Sequence, residues 1–361
     1  MIRRIVQLFI LVVILAIFGV IWYGCRQSTP IIEPVLSKKV AVRENTGISK
    51  DFFEIPSEQG GTLQACLVTM DPSKDLSPTQ NRVRDALKIR GKLPLVGSQP
   101  QLVLICTSWD QGLENSMEMA EGLSAAGYSC LVWSPRPIDP DQFVYCTYGL
   151  KESLDVPRLI DESYKRLGTQ MPVSAVGQSF GASVMLNAAA HDTRIRSVVC
   201  LDGITSLKSA VMDALAQQYG KYASMGMFWL IDFWVQKRAG FSCFEVAPVD
   251  DARKLNIPVM FVHTNQHYLS EMEDSVNLYE CVNHEGRALY GILLEGEPYG
   301  LKERDYVHIV EGKKGEKFEK HYTINVFDGD DELQANMAEW IYENTKMPMP
   351  KVLEVEPGAA N

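Results

Sequence analysis

The first hydrophobic feature of the chain is an apolar stretch at residues 5–23. Its length is close to the ~20 residues that a helix needs to cross a bilayer, and no Ala-x-Ala cleavage site follows it. The pattern predicts an uncleaved signal anchor, a single transmembrane helix within residues 1–26. Because Tyr23-Gly24-Cys25 resembles a bacterial lipoprotein cleavage site, a lipoprotein anchored at Cys25 is the alternative.

Charges beside this stretch bear on its orientation in the membrane. Arg3 and Arg4 precede it and favour an inward amino terminus, whereas Arg26, Lys38 and Lys39 lie on the other flank. We expect a single-pass protein whose folded part is extracytoplasmic.

Beyond residue 50, short apolar runs alternate with longer helix-forming segments. Such alternation predicts an α/β protein with a mostly parallel central sheet, right-handed crossovers and helices on both faces. The predicted strands are residues 52–56, 62–68, 101–106, 128–133, 173–176, 198–201, 258–262 and 288–294. The predicted helices are residues 114–126, 154–167, 271–279 and 330–344.

Polar segments divide the chain into domains and insertions. Residues 27–50 are polar with several prolines and predict a tether. The folded domain is expected at residues 51–346, with insertions at about 71–99 and 300–327, the second carrying a hairpin. The proline-containing end, residues 347–361, is predicted to be disordered.

Composition narrows the class of protein. The 361 residues, 46% of them hydrophobic, suffice for one large core. A net charge of −10 without a basic cluster argues against a nucleic-acid partner. The eight cysteines form no Cys-x-x-Cys pair, so we expect no zinc site and no metal, and those in apolar strands should be small buried side chains.

The candidate chemistry begins at Ser179, within Gly177-Gln178-Ser179-Phe180-Gly181. An apolar run precedes this Gly-x-Ser-x-Gly sequence and an Ala-rich, helix-forming run follows it. The arrangement predicts strand, sharp turn and helix, and it resembles the nucleophile elbow of α/β-hydrolases. Ser179 is therefore the candidate nucleophile; the alternative is a tight turn that holds a small residue.

A serine nucleophile needs a histidine base, a carboxylate and two N–H groups that face the oxyanion. For the oxyanion we expect the amide of Phe180 and that of Trp109 or Ser108. The loop after residues 258–262 offers no early carboxylate, whereas Asp202 directly follows the strand at 198–201. Asp202 should therefore emerge at the same sheet edge as Ser179, although a turn or cap aspartate is the alternative.

These stretches resemble the platelet-activating factor acetylhydrolases, the lipoprotein-associated phospholipase family. The resemblance rests on residues 177–183, on Leu201-Asp202-Gly203 and on residues 258–262 with their acid-free loop. It implies that Asp202 is the triad acid, and that an ester at a short or oxidised acyl chain of a phospholipid is hydrolysed without a metal or cofactor.

The chain departs from the family at two places. The oxyanion loop reads Thr107-Ser108 where the family carries His-Gly, and Tyr299 stands about where its histidine belongs. His321, about ten residues before the last helix, is the predicted base, with His308 as the alternative, and the absence of any base is a third possibility. The two other histidines near the sheet edge, His263 and His267, are expected to be polar residues of a core or loop.

The sequence thus predicts a membrane-anchored serine esterase or lipase that acts in lipid metabolism on a lipid-like ester. Methionine and aromatic side chains in residues 206–244 indicate a core helix, or else an acyl pocket or a lipid contact. Two rival functions stay open. One is a catalytically inactive α/β-hydrolase fold used for binding or as a scaffold, and the other is hydrolysis of small non-lipid esters.

Overall fold

The structure is a computed structural model of the chain. It describes residues 2–33, 47–93, 96, 99–106, 113–135, 144–264, 272–282, 289–295, 304–311, 317–324 and 331–345. The predicted tail at residues 347–361 and most of the predicted tether lie outside these residues.

A single twisted sheet organises the described residues, with the strand order β1-β2-β4-β3-β5-β6-β7-β8-β9-β10. The strands are β1 (Ile48–Pro56), β2 (Thr62–Met70), β3 (Leu102–Cys106), β4 (Ser129–Trp133), β5 (Val173–Gln178), β6 (Ile195–Leu201), β7 (Val259–Thr264), β8 (Leu289–Glu295), β9 (Arg304–Glu311) and β10 (Lys317–Ile324). The six strands from β4 to β8 in this order are mutually parallel, and β1, β2, β9 and β10 add antiparallel pairs at the two edges. The predicted, mostly parallel sheet is confirmed.

Helices cover both faces of this sheet, because the central strands are apolar on both sides. Successive residues of β3 point to opposite faces: Leu104 joins one core cluster and Ile105 the other. The helices are α1 (Ile2–Ile32), α2 (Pro78–Ile89), α3 (Leu113–Ala125), α4 (Val156–Leu167), α5 (Phe180–His191), α6 (Leu207–Tyr219), α7 (Lys221–Ala239), α8 (Pro248–Ala252), α9 (Met272–Cys281) and α10 (Asp331–Thr345). The face of Ile105 carries α2, α3 and α10, and the face of Leu104 carries α4, α5, α6, α7 and α9.

The second predicted insertion extends the sheet. Its hairpin pairs with β8 through β9, so that β9 and β10 continue the sheet beyond its parallel part. The first predicted insertion contains α2, whose amino terminus is closed by a capping box between Ser77 and Gln80.

The amino-terminal helix is longer than the predicted boundary at residue 26. It continues to Ile32, so residues 27–32 are helical and the prediction of a tether there is corrected. Within α1, the segment Ile10–Ile32 is long and apolar enough to cross a membrane, with a mean hydropathy of 1.9.

Contacts with α7 explain why the helix does not end earlier. Arg238 donates hydrogen bonds to the Cys25 carbonyl at 3.2 Å, to Ser28 Oγ at 3.0 Å and to Thr29 Oγ1 at 2.8 Å, and it pairs with Glu33. These polar groups would lose water in the packed state, and the guanidinium satisfies them.

The segment at residues 206–244, expected as a core helix or a pocket wall, is a pair of helices inserted between β6 and β7. Gly220 separates α6 from α7 and adopts φ 83°, a conformation that glycine reaches without strain. The α6–α7 hairpin, residues 207–239, packs against α1 through α7, and its buried side chains join the core cluster on that face of the sheet.

Substituting Arg238 with alanine should loosen the last turns of α1. Hydrogen bonds to a charged group contribute about 1.5–3 kcal/mol, so we expect amide exchange over residues 24–33 to accelerate about tenfold or more. Hydrogen exchange read by mass spectrometry on the full chain measures this. Arg253→Ala, which removes a more exposed arginine paired with Asp250, is the matched control and should leave α1 unchanged. Equal exchange in both variants would contradict the assigned role of Arg238.

Candidate active site

Ser179 lies in a strained turn between β5 and α5. Its backbone has φ 52° and ψ −113°, outside the regions that residues with a side chain favour. Gly177 makes the turn possible, because a Cβ atom there would stand 2.6 Å from Ala182 Cα and closer still to the Gly181 carbonyl. The predicted strand, turn and helix are confirmed, and the hydroxyl is presented at the carboxyl end of β5.

The Ser179 hydroxyl is buried and lies beside a helix amino terminus, as a serine nucleophile would. The residue is only 3% exposed, and its hydroxyl makes no side-chain hydrogen bond with any residue that the structure describes. Phe180 is the first residue of α5, so its N–H has no acceptor within the helix. This donor and the helix dipole both favour negative charge beside Ser179, and the role of the Phe180 N–H as an oxyanion donor stays a prediction.

Asp202 follows β6 and occupies the neighbouring position at the same sheet edge. The Ser179 N–H donates to the Leu201 carbonyl at 2.8 Å, and the Asp202 N–H donates to the Val262 carbonyl, also at 2.8 Å. Asp202 is 3% exposed and has φ 50°. The predicted placement of Asp202 beside Ser179 is confirmed, because β5 and β6 are parallel neighbours.

His263, expected from the sequence to be a polar residue of the core or a loop, lies close to Asp202 at this sheet edge. It lies on β7 beside the strand of Asp202, with its Nδ1 atom 3.7 Å from Asp202 Oδ1 and 3.0 Å from Ser275 Oγ. It is buried. A carboxylate and an imidazole are thus adjacent at the carboxyl ends of β6 and β7.

The strand register shows why this placement is systematic. Gln178 pairs with Leu201, and Leu201 pairs with Val262. The residues one position further along, Ser179, Asp202 and His263, therefore form one row across β5, β6 and β7. The signal available in the sequence was that both Asp202 and His263 come near the end of an apolar strand.

The structure does not bring the predicted base His321 to Ser179. His321 pairs with Val307, Val307 with Ile292, and Ile292 with His263, so His321 lies in the same row as Ser179 but on β10. Five strand spacings of ~4.8 Å separate β5 from β10, or roughly 24 Å.

The alternative base, His308, lies on β9 opposite Gly291, four strands from β5. Both histidines were expected to return to the site by way of an inserted hairpin. The hairpin instead lengthens the sheet edge and carries them away from Ser179.

Other candidate residues lie outside the described part of the chain. These are Ser108 and Trp109 of the second oxyanion donor, His267 and Tyr299. Their roles stay predictions.

A cavity of about 250 Å³ opens above Ser179. Apolar side chains of α6 and α7 form much of its wall, and Phe180 and Tyr148 border it near the serine. The last turns of α1 complete the wall with Gln27, Pro30 and Ile31. The sequence did not predict this contribution, because nothing in residues 27–32 signals which helix they pack against.

Tyr148 reaches the cavity from a loop held by a buried carboxylate. Glu152 accepts hydrogen bonds from the Thr147 N–H at 2.7 Å, from Thr147 Oγ1 at 2.6 Å and from the Gly149 N–H at 2.9 Å. Tyr148 itself has φ 51°, and its ring meets that of Phe180 edge to face at 5.7 Å. The strained tyrosine therefore has a fixed position beside the residue that follows the serine.

The thiols near the site are not rival nucleophiles. Burial raises the pKa of the Cys106 and Cys200 thiols well above the ordinary value, so they stay protonated. The prediction that the cysteines of the apolar strands are small buried side chains is confirmed.

Comparison with known proteins identifies the fold. No family model matches the chain. The chain is similar to the uncharacterized protein YqkD of Bacillus subtilis (strain 168), 23% identical over 191 residues that are 50% of this chain and 60% of that protein. The match thus spans less than two thirds of the relative.

Two solved structures are similar over most of the chain. An esterase of Pyrococcus furiosus, Pf2001, has a TM-score of 0.54 at 13% identity, with 87% of this chain and all of the esterase covered. An acylaminoacyl peptidase of Pyrococcus horikoshii has a TM-score of 0.50 at 14% identity, with 87% of this chain and 43% of the peptidase covered. With the strand order and the elbow, these likenesses show that the chain has the α/β-hydrolase fold, as predicted.

Replacing Gly177 with alanine should damage the elbow. The new Cβ would meet backbone atoms of α5 that cannot move without shifting the helix. We expect a loss of at least ~2 kcal/mol of stability, or about 5 °C in the thermal midpoint. Differential scanning fluorimetry measures it. Gly226→Ala is the matched control, since a Cβ there meets no neighbour, and it should be neutral or slightly stabilising. If Gly177→Ala were as stable as Gly226→Ala, the close packing at the elbow would be refuted.

Proposed function

We propose that the protein is a serine hydrolase that cleaves esters with an apolar acyl group. The observation that carries the proposal is the Ser179 hydroxyl, held in a strained turn at the floor of a largely apolar cavity and beside the first N–H of a helix. Maintaining such a turn costs of order 1–3 kcal/mol, a cost typical of functional sites. The likeness to an esterase and an acylaminoacyl peptidase supports the same class of reaction.

In the proposed reaction, Ser179 Oγ attacks the ester carbonyl carbon as its proton passes to a histidine. The carbonyl oxygen becomes negative and accepts a hydrogen bond from the Phe180 N–H. The C–O bond to the alcohol then breaks, and the histidine returns the proton to the leaving alkoxide. Water repeats the sequence on the acyl-enzyme, releases the acid and regenerates Ser179.

We assign the base to His263 in place of His321. The Nδ1 atom of His263 is hydrogen bonded to Ser275 Oγ and lies 3.7 Å from Asp202 Oδ1, so Nε2 is the ring nitrogen that would receive the proton of Ser179. Two strand spacings, ~10 Å between backbones, separate His263 from Ser179, against five for His321. The assignment requires a rearrangement on substrate binding that brings the two side chains together; hydrogen bonds to a base often form fully only in the complex.

The cavity supports a short or medium acyl chain. Its volume of about 250 Å³ is just under the ~300–1,000 Å³ of typical small-molecule pockets. This size agrees with the phospholipid esters of short or oxidised chains implied by the resemblance to platelet-activating factor acetylhydrolases. Small non-lipid esters would fit the same cavity volume. The position of α1 beside the cavity favours a lipid substrate.

We further propose that α1 anchors the protein in a membrane. Its side chains from Ile10 to Trp22 that the structure describes are exposed and, apart from Gly19, apolar, which suits contact with lipid. The helix runs unbroken through Cys25, which supports a helical anchor over cleavage and lipid attachment at that residue.

One observation favours a second function, a binding protein without catalysis. Among the described residues, no imidazole lies within hydrogen-bonding distance of the Ser179 hydroxyl. If the contact with His263 never forms, the cavity would bind an acyl group and leave its ester intact.

Labelling with a fluorescent fluorophosphonate, which traps only an activated serine, separates the two functions. We expect wild type to be labelled and Ser179→Ala to be blank. His263→Gln should label about 100-fold more slowly or worse, because a general base contributes at least that factor. Labelling rates are read from gels over time.

The control for the histidine is His191→Gln, whose ring bonds to its own helix at Asn187 and should not matter. Full labelling of His263→Gln together with loss in His267→Gln or His321→Gln would move the base to that residue. No labelling of folded wild type would overturn the enzyme and leave the binding protein.

The size of the cavity should set the acyl chain length. Ala214 lines the cavity, so Ala214→Phe should lower kcat/KM for hexanoyl and longer esters at least about tenfold more than for acetyl esters. A series of p-nitrophenyl esters measures this. Ala216→Phe, on the same helix but outside the cavity lining, should preserve the wild-type profile. Identical profiles for both variants would show that the acyl chain binds elsewhere.

A further inference from the structure

The free end of the α6–α7 hairpin carries an unusual set of exposed side chains. Every residue from 217 to 223 is exposed. From there, large apolar residues recur along α7 at Tyr222, Met225, Trp229 and Phe233, spaced by three or four residues and so on one face. Tyr222 is 94% exposed and Trp229 61% exposed. We call these four residues the α7 stripe.

The α7 stripe lies beside the candidate anchor. Leu230 packs against Gly24, and Arg238 bonds to residues 25–29, so α1 and α7 run side by side in the same direction. Tyr222 is eight residues before Leu230, which places it ~12 Å further along α7 toward the exposed apolar part of α1. The beginning of the stripe is therefore level with the part of α1 that would enter a bilayer.

Helix α1 is long enough both to cross a bilayer and to pack on the folded domain. Its 31 residues span roughly 46 Å, and a bilayer needs about 20 of them. A span that ends near Trp22 leaves the turns from Tyr23 to Glu33 for packing on the folded domain. The hairpin tip then lies roughly 10 Å inside the end of that span, and Trp229, which precedes Leu230, lies near the level where α1 leaves the membrane, a depth that aromatic side chains prefer.

The cavity opens between the same three helices. Gln27 of α1, Gln218 of α6 and Ile231 of α7 all line it. One turn before Gln27 and one residue after Gln218, the hydroxyls of Tyr23 and Tyr219 are hydrogen bonded to each other. Their rings meet edge to face with centroids 6.5 Å apart. This tyrosine pair therefore lies next to the cavity-lining residues Gln27 and Gln218, on the side of the exposed part of α1.

We propose that the α7 stripe is seated in the bilayer that α1 spans, and that the cavity receives its acyl chain laterally from that bilayer past Tyr23 and Tyr219. Both halves rest on the proposed membrane anchor, and the second half rests on the proposed ester hydrolysis as well. The occupant of the stripe is lipid because the stripe continues the exposed apolar surface of the helix packed beside it. Methionine and aromatic side chains are also those that bury well in the interface of a bilayer.

Photolabelling in vesicles tests whether the α7 stripe lies in the bilayer, and the test does not depend on activity. The full chain is reconstituted in phosphatidylcholine vesicles that contain a phospholipid with a diazirine on its acyl chain. After illumination and trypsin digestion, the peptide of residues 222–237, which holds the whole stripe, should carry lipid. The peptide of residues 152–158 is the control, since its Leu154 is apolar and 56% exposed but lies on a short 3-10 helix outside both α1 and α7.

Equal labelling of the two peptides would contradict the proposal that the α7 stripe lies in the bilayer. A stripe peptide without lipid that a separate bifunctional reagent crosslinks to a second copy of the chain would overturn it in favour of a dimer. Fluorophosphonate labelling of Ser179 in the same vesicles keeps the outcomes apart. A reactive Ser179 with an unlabelled α7 stripe would overturn only the contact of the stripe with the bilayer. A labelled stripe with an unreactive Ser179 would overturn only the proposed hydrolase activity.

Lateral entry is tested by two matched charge substitutions, Trp229→Glu and Leu154→Glu. Trp229→Glu should slow hydrolysis of an ester embedded in the vesicles several-fold and leave a water-soluble acetyl ester unaffected. Leu154→Glu should change neither rate. If Trp229→Glu slowed both substrates equally, or neither, the bilayer would not be the source of the substrate.

Discussion

Two strained residues at neighbouring strand ends set the geometry of the whole site. Ser179 and Asp202 both have positive φ, and each donates its N–H to a carbonyl near the carboxyl end of the next strand, Leu201 of β6 and Val262 of β7. The sheet therefore fixes the strained turns from below, while the glycines around Ser179 let α5 approach the strand. A site built this way depends little on its loops, because the positions of the serine and the carboxylate are those of the strands themselves.

The contact of α1 with the α6–α7 hairpin is the second organising interaction. A bare hairpin above a sheet would expose the apolar sides of both helices. Arg238 holds α1 by its polar last turns, and Pro30 and Ile31 then close the cavity that the hairpin leaves open. The last turns of α1 are in this way part of the folded domain, and the helix proposed as a membrane anchor also shapes the space above Ser179.

Much of the fold followed from the sequence because apolar runs of strand length alternate with helical segments. The positions of Ser179 and Asp202 followed too, since parallel strands end at one edge. The histidine could not be predicted in the same way. His321 lies at the right level along the strands, yet the order of strands across the sheet depends on whether β9 and β10 fold back or extend the edge. Residue spacing alone carries no information about that choice.

Because Pro30 and Ile31 form part of the cavity wall, the shape of the cavity depends on the presence of α1. A chain cut after residue 33 would keep its sheet, its elbow and its strained serine, but it would lack one side of its cavity. The last turns of α1 are thus part of the cavity wall, and removing α1 would change the space that receives the acyl group as well as the proposed attachment to a membrane.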